Sequence, residues 1–464
     1  MFLYWVVEPE TSDALTSFIK EARDSFISSI SSFPTSVDER VGSIRSYVEW
    51  IGKTSNVKIS ELELERAFYY LYREIEGYGK IHALLLDDQV EDISCVGSNA
   101  PLYLIHKHYG AMESNVIFEN DTELDRFVRL MVQRSGKHVS LAVPMVDCSL
   151  PNGARIQATL GKEVTKNGST FSIRRFREKP FTPLDLMNNG TLSSEIAAYL
   201  WMAVEQSENI FFVGGTASGK TTTLNSILLF VPPDKKIVSI EDTRELNIPH
   251  ENWVQAVTRP GTGEVNPATN KREGEVDMFE LLVNSLRQRP DYLVVGEIRG
   301  REAYTAFQAM AAGQTTLSTF HSTDIPSFVH RLEGEPLKIP RAMIASLNIV
   351  VLQGIVKVRN ELSRRVKKVV EIVGVEGESK EVVTNMVYEW NQTDDRFVYS
   401  GHSYLFDKLM RTEAKTLDQV ILEFQSKVSL LEAMANGKGE NFLTFTREIN
   451  NFTASSYGKK EGGE

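Results

Sequence analysis

The run FFVGGTASGKTTTLN at 211–225 constrains this chain more than any other stretch. Gly214, Gly219, Lys220 and Thr221 fit the spacing G-x-x-x-x-G-K-[ST]. The apolar run NIFFVGG leads in, and a helix-forming run, TTTLNSILLF, leads out. A strand–loop–helix unit of this kind wraps phosphate with backbone amides, and the helix start adds positive potential. The phosphate cradle is therefore expected over Gly215, Thr216, Ala217, Ser218, Gly219, Lys220, Thr221 and Thr222. Lys220 is expected to reach the β- and γ-phosphates of ATP, and the Thr221 hydroxyl to sit on Mg²⁺. A glycine turn with a chance lysine is the plain alternative, and the flanking strand and helix argue against it.

The strand ends around the loop extend the reading. From about residue 194 strands and helices alternate. NIFFVGG, KKIVSIED, DYLVVGEIRG and TTLSTFHS are apolar without alternation, as strands buried on both faces are. Between them, DMFELLVNSLRQR opens on a capping box of Asp277 and Glu280, and REAYTAFQAMAAG closes at Gly313. This predicts an α/β fold with a parallel core. Such sheets bind ligands beyond the carboxyl ends of their strands. Three polar residues fall there: Glu241 after IVSI, Glu297 after LVVG and His321 after LSTF. Acids at strand ends also cap helices, and a lone histidine is often a hydrogen-bonded core residue. Their joint placement beside the loop carries the expectation. Glu241 is the better candidate for orienting or deprotonating an attacking water. Glu297 follows Gly296 where aspartate is usual, and is expected to reach Mg²⁺ through water.

Upstream the texture changes. Residues 12–82 carry helical patterns such as ELELERAFYYLYREIEGYGK. Residues 84–178 are short β-rich runs closed by Gly and Asn-Gly turns, around the helix DTELDRFVRLMVQRSG. The expected organisation is a helical region over 1–60, an α+β domain over 61–178 and a linker and hinge over 179–193, followed by an ATPase domain with a helical extension over 194–464. The linker rests on the prolines and the Asn-Asn-Gly turn of REKPFTPLDLMNNGT. Antiparallel strands are expected beyond 355, charged helices over 403–453 and a disordered tail, TASSYGKKEGGE. No apolar run reaches membrane-spanning length, and MFLYWVVEPE reads as a short strand or anchor on the fold. Two cysteines, Cys95 and Cys148, with no CxxC pair, rule out a four-cysteine zinc site and point to a reducing cytoplasm. A formal net charge of -11 argues against a mainly nucleic-acid-binding surface.

Together GGTASGKTTTLNSIL, IVSIEDTREL, LLVNSLRQRPDYLVVGEIRGREA and AAGQTTLSTFHSTD resemble the secretion ATPase superfamily. These are the motors of type II secretion, type IV pilus assembly, archaeal filaments and type IV secretion. The motifs come in the family's order: the P-loop, an acidic box at Glu241-Asp242-Thr243, a glycine–glutamate second motif at Gly296-Glu297, and a histidine box ending at His321. EDISCVGSNAPLYLIHKHYG and HRLEGEPLKIPRAMIASLNIVVLQG resemble the archaeal branch.

The resemblance implies a RecA-like P-loop core beside a smaller α+β domain, and a homo-oligomeric ring, a hexamer, using ATP and Mg²⁺. The implied partners are a polytopic membrane platform protein and, indirectly, pilin- or flagellin-like subunits, with no nucleic acid. The implied place is the cytoplasmic face of the membrane. Glu241 would activate water, Glu297 would help with the metal and His321 would contact the γ-phosphate. Arg155 in LPNGAR and Arg174 in SIRRF, with Arg175 a near alternative, would be the arginines that reach the nucleotide. Read by themselves they are a solvated strand face. Gln314 stands where many members have histidine, which leaves a hydrogen-bonding role and removes a titrating one. Two other readings stay open. One is a nucleic-acid motor, opposed by the acidic balance. The other is a P-loop kinase, for which the sequence offers no lid or acceptor pocket.

Overall fold

The computed structural model describes residues 2–29, 36–54, 59–175, 180–259, 261–267, 271–359, 361–377, 381–437 and 442–458. They fall into two compact units, Met1–Phe176 and Arg177–Glu464.

The first unit is built on a seven-stranded sheet in the order Phe2–Tyr4, Gly110–Ile117, Pro101–His106, Val90–Cys95, Thr170–Arg174, Arg155–Thr159, Met145–Ser149. The N-terminal apolar run supplies the first strand, the one parallel member, while the other neighbours run antiparallel. Alternating burial along Pro101–His106 marks a sheet with one covered face. The helix Asp121–Arg134 provides cover, with Leu124, Phe127, Val128, Met131 and Val132 buried. Three further helices, Asp13–Ser29, Val37–Thr54 and Glu61–Ile75, share a separate core that includes Phe18, Ile44, Val48 and Leu71. The boundary expected at residue 60 therefore cuts a helical bundle. The third helix begins there with a capping box of Ser60 and Glu63, yet its Ala67 and Leu71 pack with the first two helices.

The second unit carries a nine-stranded sheet. Six strands run parallel in the order Trp253–Val257, Ile237–Glu241, Tyr292–Val295, Thr315–His321, Ile210–Gly214, Ile349–Val358. The strand entering the glycine loop thus lies between the histidine-box strand and its sequence successor, which is the RecA-like arrangement. The four strands with the motifs are almost wholly buried, as their unbroken apolar runs require. Helices cover both faces. Tyr199, Trp201 and Phe230 fill one side, and Phe307, Phe320 and Phe328 the other.

Two expectations change. The stretch 179–193 is not a simple linker, because Pro183–Asn188 is a helix with a capping box of Thr182 and Asp185. Its Leu184 and Leu186, with Leu192 beyond it, join the core of the second unit. Pro183 sits at the helix start, where proline lacks only a hydrogen bond that would be missing anyway. The antiparallel strands beyond 355 are also no separate layer. Glu361–Val375, Val382–Asn391 and Arg396–Tyr399 extend the parallel sheet through Ile349–Val358.

The C-terminal helices Tyr404–Thr412, Leu417–Ala435 and Phe442–Gly458 join the core around Tyr199, Trp201 and Phe230, where Phe406 meets Tyr199 and Phe445 meets Phe230. The last takes in the start of the expected disordered tail, whose residues 459–464 lie outside the described residues. Among the described residues no helix is long and apolar enough to cross a membrane.

Candidate nucleotide site

Four adjacent parallel strands deliver the motifs to one edge of the sheet. Register places Ile240 beside Val295, Val295 beside Ser318, and Ser318 beside Phe211, so the residues that follow emerge together. His321 pairs with Gly214 at the start of the loop.

The loop turns into its helix, Lys220–Ile227, at Gly219, whose φ of 94° lies in the left-handed region that glycine tolerates. No side chain caps this helix, so its first-turn amides are left for a ligand. The Lys220 ammonium rests on the Gly215 carbonyl at 2.9 Å, and Ser218 Oγ donates to the same oxygen at 2.9 Å. Burial pushes the Lys220 pKa down, against the opposing fields of Glu297 and Glu245. Lys220 is thus a partly desolvated cation, held by one neutral carbonyl beside open amides. That arrangement suits polyphosphate. Thr216, Ala217, Thr221 and Thr222 lie in the same loop and helix turn.

Glu241 ends its strand only 2% exposed. Its Oε1 accepts from the amides of Glu245 at 2.9 Å and Leu246 at 3.0 Å. Burial nevertheless outweighs these bonds and raises its pKa to about 7. Gly296 explains the form of the second motif. A Cβ added there would stand 3.2 Å from Glu241 Cγ, so a larger residue would press on the buried acid. The Gly296 carbonyl accepts from Thr319 Oγ1 at 2.7 Å, which ties this turn to the histidine-box strand. Glu297 is half-buried, close enough to Lys220 to influence it. Thr221 and Glu297 offer the hard oxygen donors that Mg²⁺ prefers. Among the described residues no cluster of three or more His, Cys, Asp or Glu could hold a metal unaided. Phosphate oxygens and water would complete the shell.

The backbone carbonyl of His321 accepts from Arg331. Gln314 immediately precedes the strand that His321 ends, so it lies at the opposite edge of the sheet. There its Nε2 donates to the Pro290 carbonyl at 2.9 Å. Its hydrogen-bonding role is local.

Arg155, Arg174 and Arg175 belong to the first unit. Arg155 and Arg174 are paired across neighbouring strands and so share a face. Asp147 bonds Arg155 Nε at 3.0 Å, and Asp92 bonds Arg174 Nε at 3.0 Å. Arg174 is largely exposed. Arg175 follows the strand, and its guanidinium is spent on the Asp87 carbonyl and, at 3.0 Å, on Asp88 Oδ1.

Two residues at the loop escape the sequence motifs. Gln353 Nε2 donates to Thr223 Oγ1 at 2.9 Å, and Arg364 Nε donates to the Ala217 carbonyl at 2.9 Å. The available signal was topological, since the strand after the histidine box must flank the loop strand in a RecA-like sheet.

Residues 79–443 match the model of the family described as type II/IV secretion system protein. An uncharacterized protein of Methanocaldococcus jannaschii, MJ0900, is 38% identical over 82% of this chain and 68% of its own length. The conjugal transfer protein TrbB of Rhizobium radiobacter is 31% identical over 50% of this chain and 68% of its own. Among solved structures, the Legionella pneumophila ATPase DotB aligns over 81% of this chain and 89% of its own, at 16% identity and a TM-score of 0.44.

Proposed function

The chain belongs to the type II/IV secretion system protein family, and on that premise we propose that it is a Mg²⁺-dependent motor ATPase. The observation that carries the reading is the buried Glu241 beside the glycine-loop edge. A carboxyl with a pKa of about 7 is suited to accepting a proton from water near neutrality. In this reading the loop amides, Lys220 and Thr222 bind the ATP phosphates, and Glu241 deprotonates the attacking water. Thr221, and Glu297 through water, would hold Mg²⁺, which would supply positive charge to offset that developing on the phosphates. His321 contacts the γ-phosphate.

The working form is a ring of six subunits at the cytoplasmic face of a membrane, with Arg155 and Arg174 stabilising charge on the transferred phosphoryl group. The ring acts on a polytopic platform protein to assemble or secrete pilin- or flagellin-like subunits. Phosphate release by purified protein with Mg-ATP tests the enzyme assignment. Turnover lost in both Glu241→Gln and Lys220→Ala is expected. Full activity in Glu241→Gln would sink the assignment of the base.

A second reading, a conjugation-type DNA-transfer ATPase, is favoured by the similarity to TrbB. Hydrolysis stimulated by single-stranded DNA and indifferent to anionic liposomes would select it. The net charge of -11 weighs the other way.

A further inference from the structure

We propose that Arg364 is a further phosphate-contacting residue of the nucleotide site, supplied by the hairpin beyond the glycine loop. The inference rests on the nucleotide reading of that loop. The strand Ile349–Val358 runs beside the loop strand as far as the pair Gln353–Gly214, then continues as a hairpin with Glu361–Val375. Arg364 and Arg365 are consecutive on this hairpin and face opposite ways.

Arg365 is buried and fully engaged. It holds Asp395 through two bonds of 2.8 and 2.9 Å and also donates to the carbonyls of Asn189 and Arg364. Arg364 is exposed, and among the described residues its guanidinium bonds a single group, the loop carbonyl of Ala217. Its Cδ lies 3.3 Å from where a Cβ on Gly219 would stand, so its stem packs on the bend of the cradle. Among the described residues no carboxylate is within ion-pair distance of Arg364.

Lys220 has the same pattern: a cation resting on one neutral carbonyl of the same loop. In each case the remaining N–H donors are left for an anion. The planar guanidinium fork matches phosphate oxygens, whereas a carbonyl uses only one of its donors.

Displacement of a fluorescent ADP analogue from the full chain by ADP and by inorganic pyrophosphate, over a range of salt, tests the proposal. Arg364→Gln should weaken both competitors about tenfold or more and flatten the salt dependence, with an unchanged melting temperature. Arg364→Lys should keep most of that dependence. Unchanged affinity in Arg364→Gln would overturn the proposal. So would weaker binding with the wild-type salt dependence, which would make Arg364 only a strut for the Ala217 carbonyl. If wild type binds neither competitor, or Lys220→Ala binds as wild type does, the nucleotide reading fails and takes this proposal with it.

Discussion

A carboxyl sealed in a protein interior resists ionisation, and the cost appears both in chemistry and in stability. For Glu241 the folded pKa, about 7, lies above the ordinary 4.5. Between those values the folded chain holds a proton that the unfolded chain releases. The stabilisation from this proton is complete below the unfolded pKa and disappears as pH rises through 7. The gap corresponds to about 3 kcal/mol. Glu241→Gln should therefore melt above wild type at pH 8, with the difference shrinking as pH falls through 7 and vanishing only below the unfolded pKa of 4.5. A pH-independent difference in thermal denaturation would contradict the assignment. The same titration should make kcat/KM rise through pH 7, since only the ionised acid can accept a proton. At this scale the sequence was informative where the signal was local. Gly219, Lys220 and the acids at strand ends declare themselves by short spacings and apolar lead-ins. Arg364 and Gln353 could not, because their loop partners lie 147 and 130 residues away in the chain.

Among the elements, the antiparallel extension is anchored by a buried acid that has no cationic partner among the described residues. Glu371 accepts from Tyr199 Oη, Ser403 Oγ and Asn385 Nδ2 at 2.8 Å, and from the amides of Tyr404 and Leu405 at 2.8 and 2.9 Å. The Tyr199 hydroxyl is correspondingly held well above its usual pKa by burial and by Glu371. These bonds fix the start of the helix Tyr404–Thr412 against the sheet. Glu371→Ala should cost more than about 3 kcal/mol, because several buried donors lose their acceptor at once. Urea denaturation measures it, and a loss below about 1 kcal/mol would refute the anchoring role. The motif strands were readable because full burial leaves an unbroken apolar run. The helix Pro183–Asn188 was not, because its proline signals equally a turn and a first helical position. The charged C-terminal helices concealed Lys427, which is buried, bonded to Glu205 at 2.8 Å and set 4.0 Å over the Trp201 ring.

For the whole molecule, the proposed ring makes turnover a property of assembly. Sedimentation with Mg²⁺ and a non-hydrolysable ATP analogue should give six-subunit particles. Arg155→Ala should retain nucleotide binding while lowering turnover by about 10³-fold, the scale at which an arginine supports phosphoryl transfer. A strict monomer at micromolar concentration would end the ring model. The strand Ile349–Val358 has its own bearing on how such a chain can evolve. One of its edges pairs with the loop strand, and the other begins the antiparallel extension. Recombination that exchanged everything after the histidine box would strip a neighbour from the loop strand and expose the core under the C-terminal helices. The second unit is therefore expected to be inherited as a single block, with new modules joining at its ends.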